Sequence, residues 1–184
     1  AEFTTVAHAA VDEKGHATYE FDLSWDVPAV EDPDTVGHVH TGSYVVVVEP
    51  GADKVLAAVK RQAIRGTVSY DPNLRRNLWS DEQTARQYIR EGLNLCDVAK
   101  LSDEECTFLC GDGEIDALGH RLLAEHPNLK LLFVTCGAGG SYAFCGSRMA
   151  FVPGFSVKIA DTTGAGDAFV GAVLYQILRR GGLR

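Results

Sequence analysis

The sequence predicts an α/β fold, in which short strands alternate with amphipathic helices behind a small β-hairpin. Three observations predict it. From Thr35 onward, runs of period-two apolar alternation give way repeatedly to apolar residues at helical spacing. The 184 residues are 46% apolar, enough to bury one core. The chain also opens on two alternating segments around a turn composition. The expected organisation is a hairpin unit over residues 1–29 and an α/β core over residues 30–184.

In the hairpin, Thr4 to Val11 and His16 to Leu23 flank Asp12-Glu13-Lys14-Gly15. Ala17, Tyr19, Phe21 and Leu23 fall on one face of the second arm, and His16, Thr18, Glu20 and Asp22 on the other, which suits a sheet with one wet face. Trp25 and the Pro28 region lead back to the core. Val36 to Thr41 reads as a strand ending in His40-Thr41-Gly42-Ser43, and by propensity Val45-Val46-Val47-Val48 is another. Val55, Leu56, Ala58, Val59, Ala63 and Ile64 then form a helical stripe that stops at Gly66.

The next strand, Thr67 to Tyr70, delivers Asp71-Pro72-Asn73-Leu74-Arg75 to its carboxyl end, where open α/β sheets place ligand groups. Arg75 can act there as a forked donor to a phosphate or sugar oxygen, while Pro72 and Asn73 equally suit an ordinary turn. Ser80-Asp81-Glu82-Gln83 has capping-box spacing before a helix reaching about Asn94. After a strand at Asp97 to Lys100, Ser102 and Glu105 carry the same spacing. Glu114 to His126 reads as a helix with Ile115, Leu118, Leu122 and Leu123 on one face, and with His120 and His126 solvated. Leu131 to Thr135 is a buried type of strand. The turn after it, Thr135-Cys136-Gly137-Ala138-Gly139-Gly140, by composition alone makes a hairpin. Tyr142 to Phe144 and Met149 to Val152 pair, and Ser156 to Ala160 alternates as a last strand.

That strand feeds Asp161-Thr162-Thr163-Gly164-Ala165-Gly166-Asp167-Ala168-Phe169, after which Ala172, Val173 and Ile177 continue a helical pattern. Gly164 and Gly166 permit a tight bend, so the N–H groups opening the helix can converge on one anion, aided by the helix dipole. Asp167 at the mouth of an anion site would repel phosphate unless it has a task. Accepting the proton of an attacking hydroxyl is one such task; capping the helix is the other reading.

The net charge of −8, with no basic run longer than two residues, argues against a nucleic-acid surface. Cys96, Cys106, Cys110, Cys136 and Cys145 are odd in number and read as reduced thiols, without zinc-type spacing. No secretory leader and no apolar run approaching the ~20 residues of a membrane span is evident. The expectation is a reducing cytoplasm and no membrane partner.

The nine residues from Asp161 to Phe169 resemble the C-terminal signature of the PfkB, or ribokinase-like, carbohydrate kinases. The resemblance implies a three-layer α/β/α, Rossmann-like core carrying part of a small β-sheet lid, with the opening hairpin belonging to that lid. It implies ATP-dependent phosphorylation of a sugar hydroxyl, with Asp167 as base and Gly164, Ala165 and Gly166 in the anion hole. It also implies a turn, rather than a strand, at Val45 to Val48. Asp71-Pro72-Asn73-Leu74-Arg75 with Leu78-Trp79 is similar to bacterial fructokinases and 2-keto-3-deoxygluconate kinases, which makes Asn73 and Arg75 candidate substrate or phosphate ligands.

Where many relatives have Asn-x-x-Glu near the magnesium ion, this chain has Ser102 and Glu105, so Glu105 is the candidate, acting through water. Lys100 to Glu105 resembles the fructokinase version. Thr135, Gly137 and Gly140 become candidate ATP contacts, and Asp161 with Thr163 a candidate site for a monovalent cation such as K+. A homodimer through the lid sheet is implied as well. The family's sugar-gripping Gly-Gly strands and its adenine loop are not visible, so the chain corresponds to the middle and later parts of the fold, and the piece alone is expected to be unstable or oligomeric. Fructose is the expected acceptor. The rivals are 2-keto-3-deoxygluconate, ribose or a nucleoside, and, from another class, a catalytically silent binding module.

Overall fold

Strands that run parallel and are buried on one face set the layout of this computed structural model, which describes residues 5–11, 17–29, 36–79, 81–158 and 161–182. The chain opens with β1 (Val6–Val11) and β2 (Ala17–Asp22), an antiparallel pair with Val6 opposite Asp22 and Val11 opposite Ala17. The predicted turn at Asp12 to Gly15 lies outside the described residues. The core follows as β3 (His38–Gly42), α1 (Gly51–Arg65), β4 (Thr67–Asp71), α2 (Glu82–Leu95), β5 (Val98–Ser102), α3 (Asp103–Cys110), α4 (Ile115–Glu125), β6 (Leu131–Thr135), β7 (Gly140–Cys145), β8 (Arg148–Pro153) and α5 (Ala165–Arg179). Strands β3 to β8 form one sheet in that order. The pairs from β3 through β6 are parallel, and the last two pairs are antiparallel. The α/β expectation therefore holds, with a hairpin appended to a parallel sheet.

Period two assigns the faces. Ala99, Leu101, Leu132 and Val134 are fully buried, in one cluster with Ile89 and Leu93 of α2 and Leu118 and Leu122 of α4. Each of the leucine, isoleucine and valine side chains contributes about 1.5–3 kcal/mol by leaving water. The residues between them, Lys100 and Phe133, therefore point to the opposite face, where the Phe133 ring meets Phe169 of α5 at 6.0 Å. The layering is thus α1, α2 and α4 on the apolar face and α5 on the other. The segment after the hairpin docks on α1, where Gly51 N–H donates to the Trp25 carbonyl at 2.8 Å and Lys54 binds Asp26 at 2.6 Å.

Several local expectations change. Val45 to Val48 is not a strand: Ser43 turns the chain at φ 58°, a 3-10 turn spans Ser43–Val46, and Val46 enters the core. The second helix is capped by Asp81, whose carboxylate accepts Thr84 N–H at 2.9 Å and the Thr84 hydroxyl at 2.7 Å. Ser80 lies outside the described residues. Over Ser156 to Lys158 no ladder forms, because no described strand lies alongside, and Val157 stays 70% exposed. Ile159 and Ala160 are outside the described residues.

His126 is also not solvated; it is 3% exposed, and its Nδ1 pairs with Asn94 Oδ1 at 2.6 Å, bridging the ends of α2 and α4. His120 is half-buried, edge-on to Phe144 at 5.3 Å. Burial, then Arg90, push the His126 pKa below its ordinary value, while Glu125 opposes the shift. The unfolded chain therefore binds this proton at a higher pH than the folded one, so the stability is fully present above pH 6.5 and is lost as pH falls below it. Burial displaces His38 and His40 in the same direction. Urea midpoints measured from pH 7.5 to 5 should fall with pH, and His126→Gln should flatten that fall; an equal slope in the variant would contradict the assignment.

Candidate functional site

Parallel strands end at one edge of their sheet, and there a cleft of about 550 Å³ opens over β3 and β4. Its lining includes Trp25, His40, Thr41, Asp71, Asn73 and Asp167. The first turns of α5 form one wall, and Val170 is the buried anchor of that helix.

The loop entering α5 is bent at Gly164, which sits at φ 74° in the left-handed region that a side chain disfavours. Gly164 is the N-cap and contributes no side chain, so Asp167 stands in the first turn and is not the cap. Ala165 N–H is engaged with the Thr162 carbonyl at 3.1 Å, and the first helical bond runs from Ala168 N–H to Gly164 at 2.9 Å. The amides of Gly166 and Asp167 therefore lie ahead of the helical ladder, at the positive end of the dipole. The Asp167 side chain is exposed and lines the cleft. Asp161 Oδ1 accepts Thr163 N–H at 2.8 Å; that bond, with the Thr163 side chain, lowers the pKa of Asp161. Asp161 and Thr163 thus form an exposed turn that braces the loop.

The polar face of the sheet supplies further groups. Asp71 is buried; its carboxylate faces Lys100 Nζ at 3.3 Å and accepts Asn73 N–H at 3.2 Å. Burial raises the Asp71 pKa, Lys100 and the Asn73 amide pull it back, and Asp167 adds to the rise. On β3, His38 bridges Thr67 Oγ1 and Ser69 Oγ at 2.9 Å each, and His40 Nδ1 reaches the same Ser69 oxygen at 2.8 Å. Burial lowers the His40 pKa, and the charge of Asp167 partly opposes that. The Thr41 hydroxyl is buried beside the cleft and has no hydrogen-bond partner among the described residues. No sequence signal distinguishes these groups from ordinary strand residues, except that Asp71 falls at the carboxyl end of its strand, with Lys100 and His40 at the middle of theirs.

Asn73, at φ 44°, joins this cleft to a smaller hollow of about 150 Å³ lined also by Arg75, Lys100, Ser102 and Glu105. Arg75 is exposed and donates to Asn73 Oδ1 at 2.6 Å. Glu105 completes the predicted capping box on Ser102. Its Oε2 accepts Ser102 N–H and its Oε1 accepts Leu74 N–H, both at 2.7 Å, which ties the Asn73 to Arg75 loop to α3. Each oxygen keeps a lone pair, so the residue can still order a water in the hollow. Among the described residues, no cluster of three or more His, Cys, Asp or Glu could hold a metal by itself. The donor set fits a magnesium ion that arrives with phosphates and keeps most of its waters.

Thr135, Gly137 and Gly140 do not line the Asp167 cleft. They lie at the end of β6, two strands from β4, in a turn closed by Cys136 N–H to Gly140 O at 2.8 Å. Gly140, at φ 114°, has no room for a side chain against the Val152 carbonyl. The turn thus makes the β6–β7 hairpin, as its composition requires, and exposes Gly137 at the carboxyl edge of the sheet.

The profile of the pfkB family carbohydrate kinases matches residues 4–184. Fructokinase-2 of Solanum lycopersicum is 43% identical over 140 residues, which are 76% of this chain and 42% of that protein. A double mutant of the fructokinase from Vibrio cholerae O395, solved with fructose, ADP and potassium ion, superposes with a TM-score of 0.80 at 30% identity, over 93% of this chain and 57% of that one. The fructokinase from Xylella fastidiosa with bound ATP gives 0.79 at 27% identity, over 96% of this chain and 57% of that one. The chain thus spans well under two thirds of the length of each.

Glu105→Gln would leave one of two buried amides facing an NH2 group. Chemical denaturation should register a loss of about 1–3 kcal/mol. Unchanged stability would mean that Glu105 does not hold the loop.

Proposed function

The chain belongs to the pfkB family of carbohydrate kinases, and on that premise we propose that it carries the phosphoryl-transfer centre of an ATP-dependent sugar kinase, with fructose as acceptor. The observation that carries the reading is the exposed Asp167 carboxylate at the mouth of a cleft, one residue from amides that lie ahead of the helical ladder. In this reading a sugar hydroxyl in the cleft gives its proton to Asp167 while its oxygen attacks the γ-phosphorus in line. The bond from that phosphorus to the ADP oxygen breaks, and the Gly166 and Asp167 amides hold the equatorial charge.

The unpartnered Thr41 hydroxyl favours a polar occupant, because a buried donor without a partner costs about 1–3 kcal/mol that a sugar oxygen would recover. The nucleotide would lie along the carboxyl edge toward Thr135, Gly137 and Gly140; at about 4.8 Å per strand, β4 and β6 are about 10 Å apart, the reach of a polyphosphate. Magnesium, when bound, would neutralise phosphate charge, and Glu105 would order one of its waters from the hollow beside Asn73. Arg75 and Asn73 would orient substrate oxygens at the rim, and Asp161 with Thr163 would accept a potassium ion of the kind bound by the Vibrio enzyme.

Fructose is favoured over other acceptors by the fructokinase relatives. Residues 1–29 are read as part of a lid that pairs with a second copy, and residues 30–184 as part of the core. Five free thiols and the absence, among the described residues, of a helix long and apolar enough to cross a membrane are consistent with a reducing cytoplasm.

Sugar-dependent ADP release, measured over a panel of sugars, tests the reading. Fructose should support turnover, and Asp167→Asn should cut kcat at least ~100-fold with little change in ATP affinity. ATP binding without ADP release for any sugar would favour a binding module, and near-normal turnover in Asp167→Asn would refute the base.

A further inference from the structure

A neutral histidine carries hydrogen on one ring nitrogen, and its hydrogen-bond partners decide which. On the polar face of the sheet the hydrogens can be followed bond by bond. The Gly37 carbonyl can only accept, so the Thr67 hydroxyl, 3.2 Å away, points its hydrogen there. Thr67 Oγ1 is then left to accept from His38 Nδ1 at 2.9 Å. Burial, then His40, lower the His38 pKa, which favours the neutral ring. Its Nε2 is therefore a lone pair, and it takes the hydrogen of the Ser69 hydroxyl at 2.9 Å. Ser69 Oγ must accept in turn, and His40 Nδ1 donates to it at 2.8 Å. Burial also lowers the His40 pKa, so that ring is neutral as well, with its lone pair on Nε2. The ring lines the cleft with Asp71 and Asp167, and Nε2 meets no hydrogen-bond partner among the described residues.

We propose, on the kinase reading above, that His40 is an acceptor-binding residue: its Nε2 lone pair takes a hydrogen bond from a sugar hydroxyl other than the one that Asp167 deprotonates, and so selects an uncharged polyol over a sugar acid.

The rest of the cleft supports the role. Among the described residues that line it, the charged side chains are Asp71 and Asp167, with no lysine or arginine. Lys100 pairs with Asp71 at 3.3 Å and does not line the cleft. Two carboxylates and the His40 lone pair all accept, so an occupant must bring the hydrogens. A polyol brings one on every hydroxyl. A carboxylate brings only lone pairs and a negative charge, which Asp71, Asp167 and Nε2 all oppose. One arrangement thus seats a neutral sugar and turns away an anionic one. Trp25, Val45, Val55 and Leu174 complete the lining with apolar surface for the carbon skeleton. The chain of hydrogen bonds ends on a backbone carbonyl, whose role cannot reverse. The tautomer is therefore set before the sugar arrives, and its orientation costs nothing on binding.

The tautomer is read directly by nitrogen–proton NMR correlations on protein with isotope-labelled histidine, the His40 signals being those lost in His40→Asn. Hydrogen should sit on Nδ1 and not on Nε2; hydrogen on Nε2 would overturn the proposal. The same variant tests binding, because asparagine keeps an amide donor for Ser69 and lacks the distal acceptor, whereas His40→Gln places an amide oxygen near the Nε2 position. His40→Asn should raise the fructose KM about 3- to 10-fold and leave the ATP KM within about twofold, and His40→Gln should recover part of the loss. An unchanged fructose KM in His40→Asn, or an equal rise for ATP, would overturn it. Wild type should also prefer fructose to 2-keto-3-deoxygluconate in kcat/KM, and equal values would contradict the selection against sugar acids. Loss of the kinase reading is seen separately, as wild type that releases no ADP with any sugar, and the NMR result does not depend on it.

Discussion

The arrangement depends on one constraint: four parallel strands must bury the same face. Once Ala99, Leu101, Leu132 and Val134 turn toward α2 and α4, the pleat sends Lys100, Asp71, Ser69 and His40 to the other side. That second face is polar, and α5 crosses it with its N-terminus at the carboxyl edge of the sheet. The apolar layer therefore decides where the polar groups can be. Asp71, Lys100 and His40 are thereby held from below on strands, while Asn73, Arg75 and the turn that opens α5 reach the same edge from loops.

The polar face carries a cost that the fold does not need. Burial works against the Asp71 charge, and only Lys100 and the Asn73 amide restore it. Removing one partner of such a pair is strongly destabilising, whereas replacing both by apolar residues is often neutral. The His38, Ser69 and His40 chain is a similar investment, a continuous set of hydrogen bonds leading from Thr67 to the cleft. In the family reading these groups shape the potential at Asp167, which stands close enough to His40 and Asp71 to perturb both.

Local codes in the sequence were legible where a short segment determines its own structure. The Ser102 and Glu105 box, the helix after Pro50, and the pairing of Tyr142 to Phe144 with Met149 to Val152 follow from spacing alone, and all appear as read. Readings failed where a distant neighbour decides. The valines at 45 to 48 have strand propensity, but Ser43 turns the chain into a 3-10 turn and Val46 packs into the core. Ser156 to Lys158 alternates, yet among the described residues no strand pairs with it. His126 looks like a wet helix end until α2 brings Asn94 against it. At the site, the nine residues from Asp161 were readable because their bend is local. His40 was not, because its significance lies in a hydrogen bond to Ser69, 29 positions away in the chain.

The central claim is that the α5 amides and Asp167 face the two ends of one transferring group. The most direct measurement is a crystal structure of the protein with fructose and a non-hydrolysable ATP analogue. The account predicts a sugar hydroxyl about 2.6–3.2 Å from Asp167 Oδ and the γ-phosphate on the Gly166 and Asp167 amides. A sugar seated away from Asp167, or a γ-phosphate that leaves those amides empty, would contradict it.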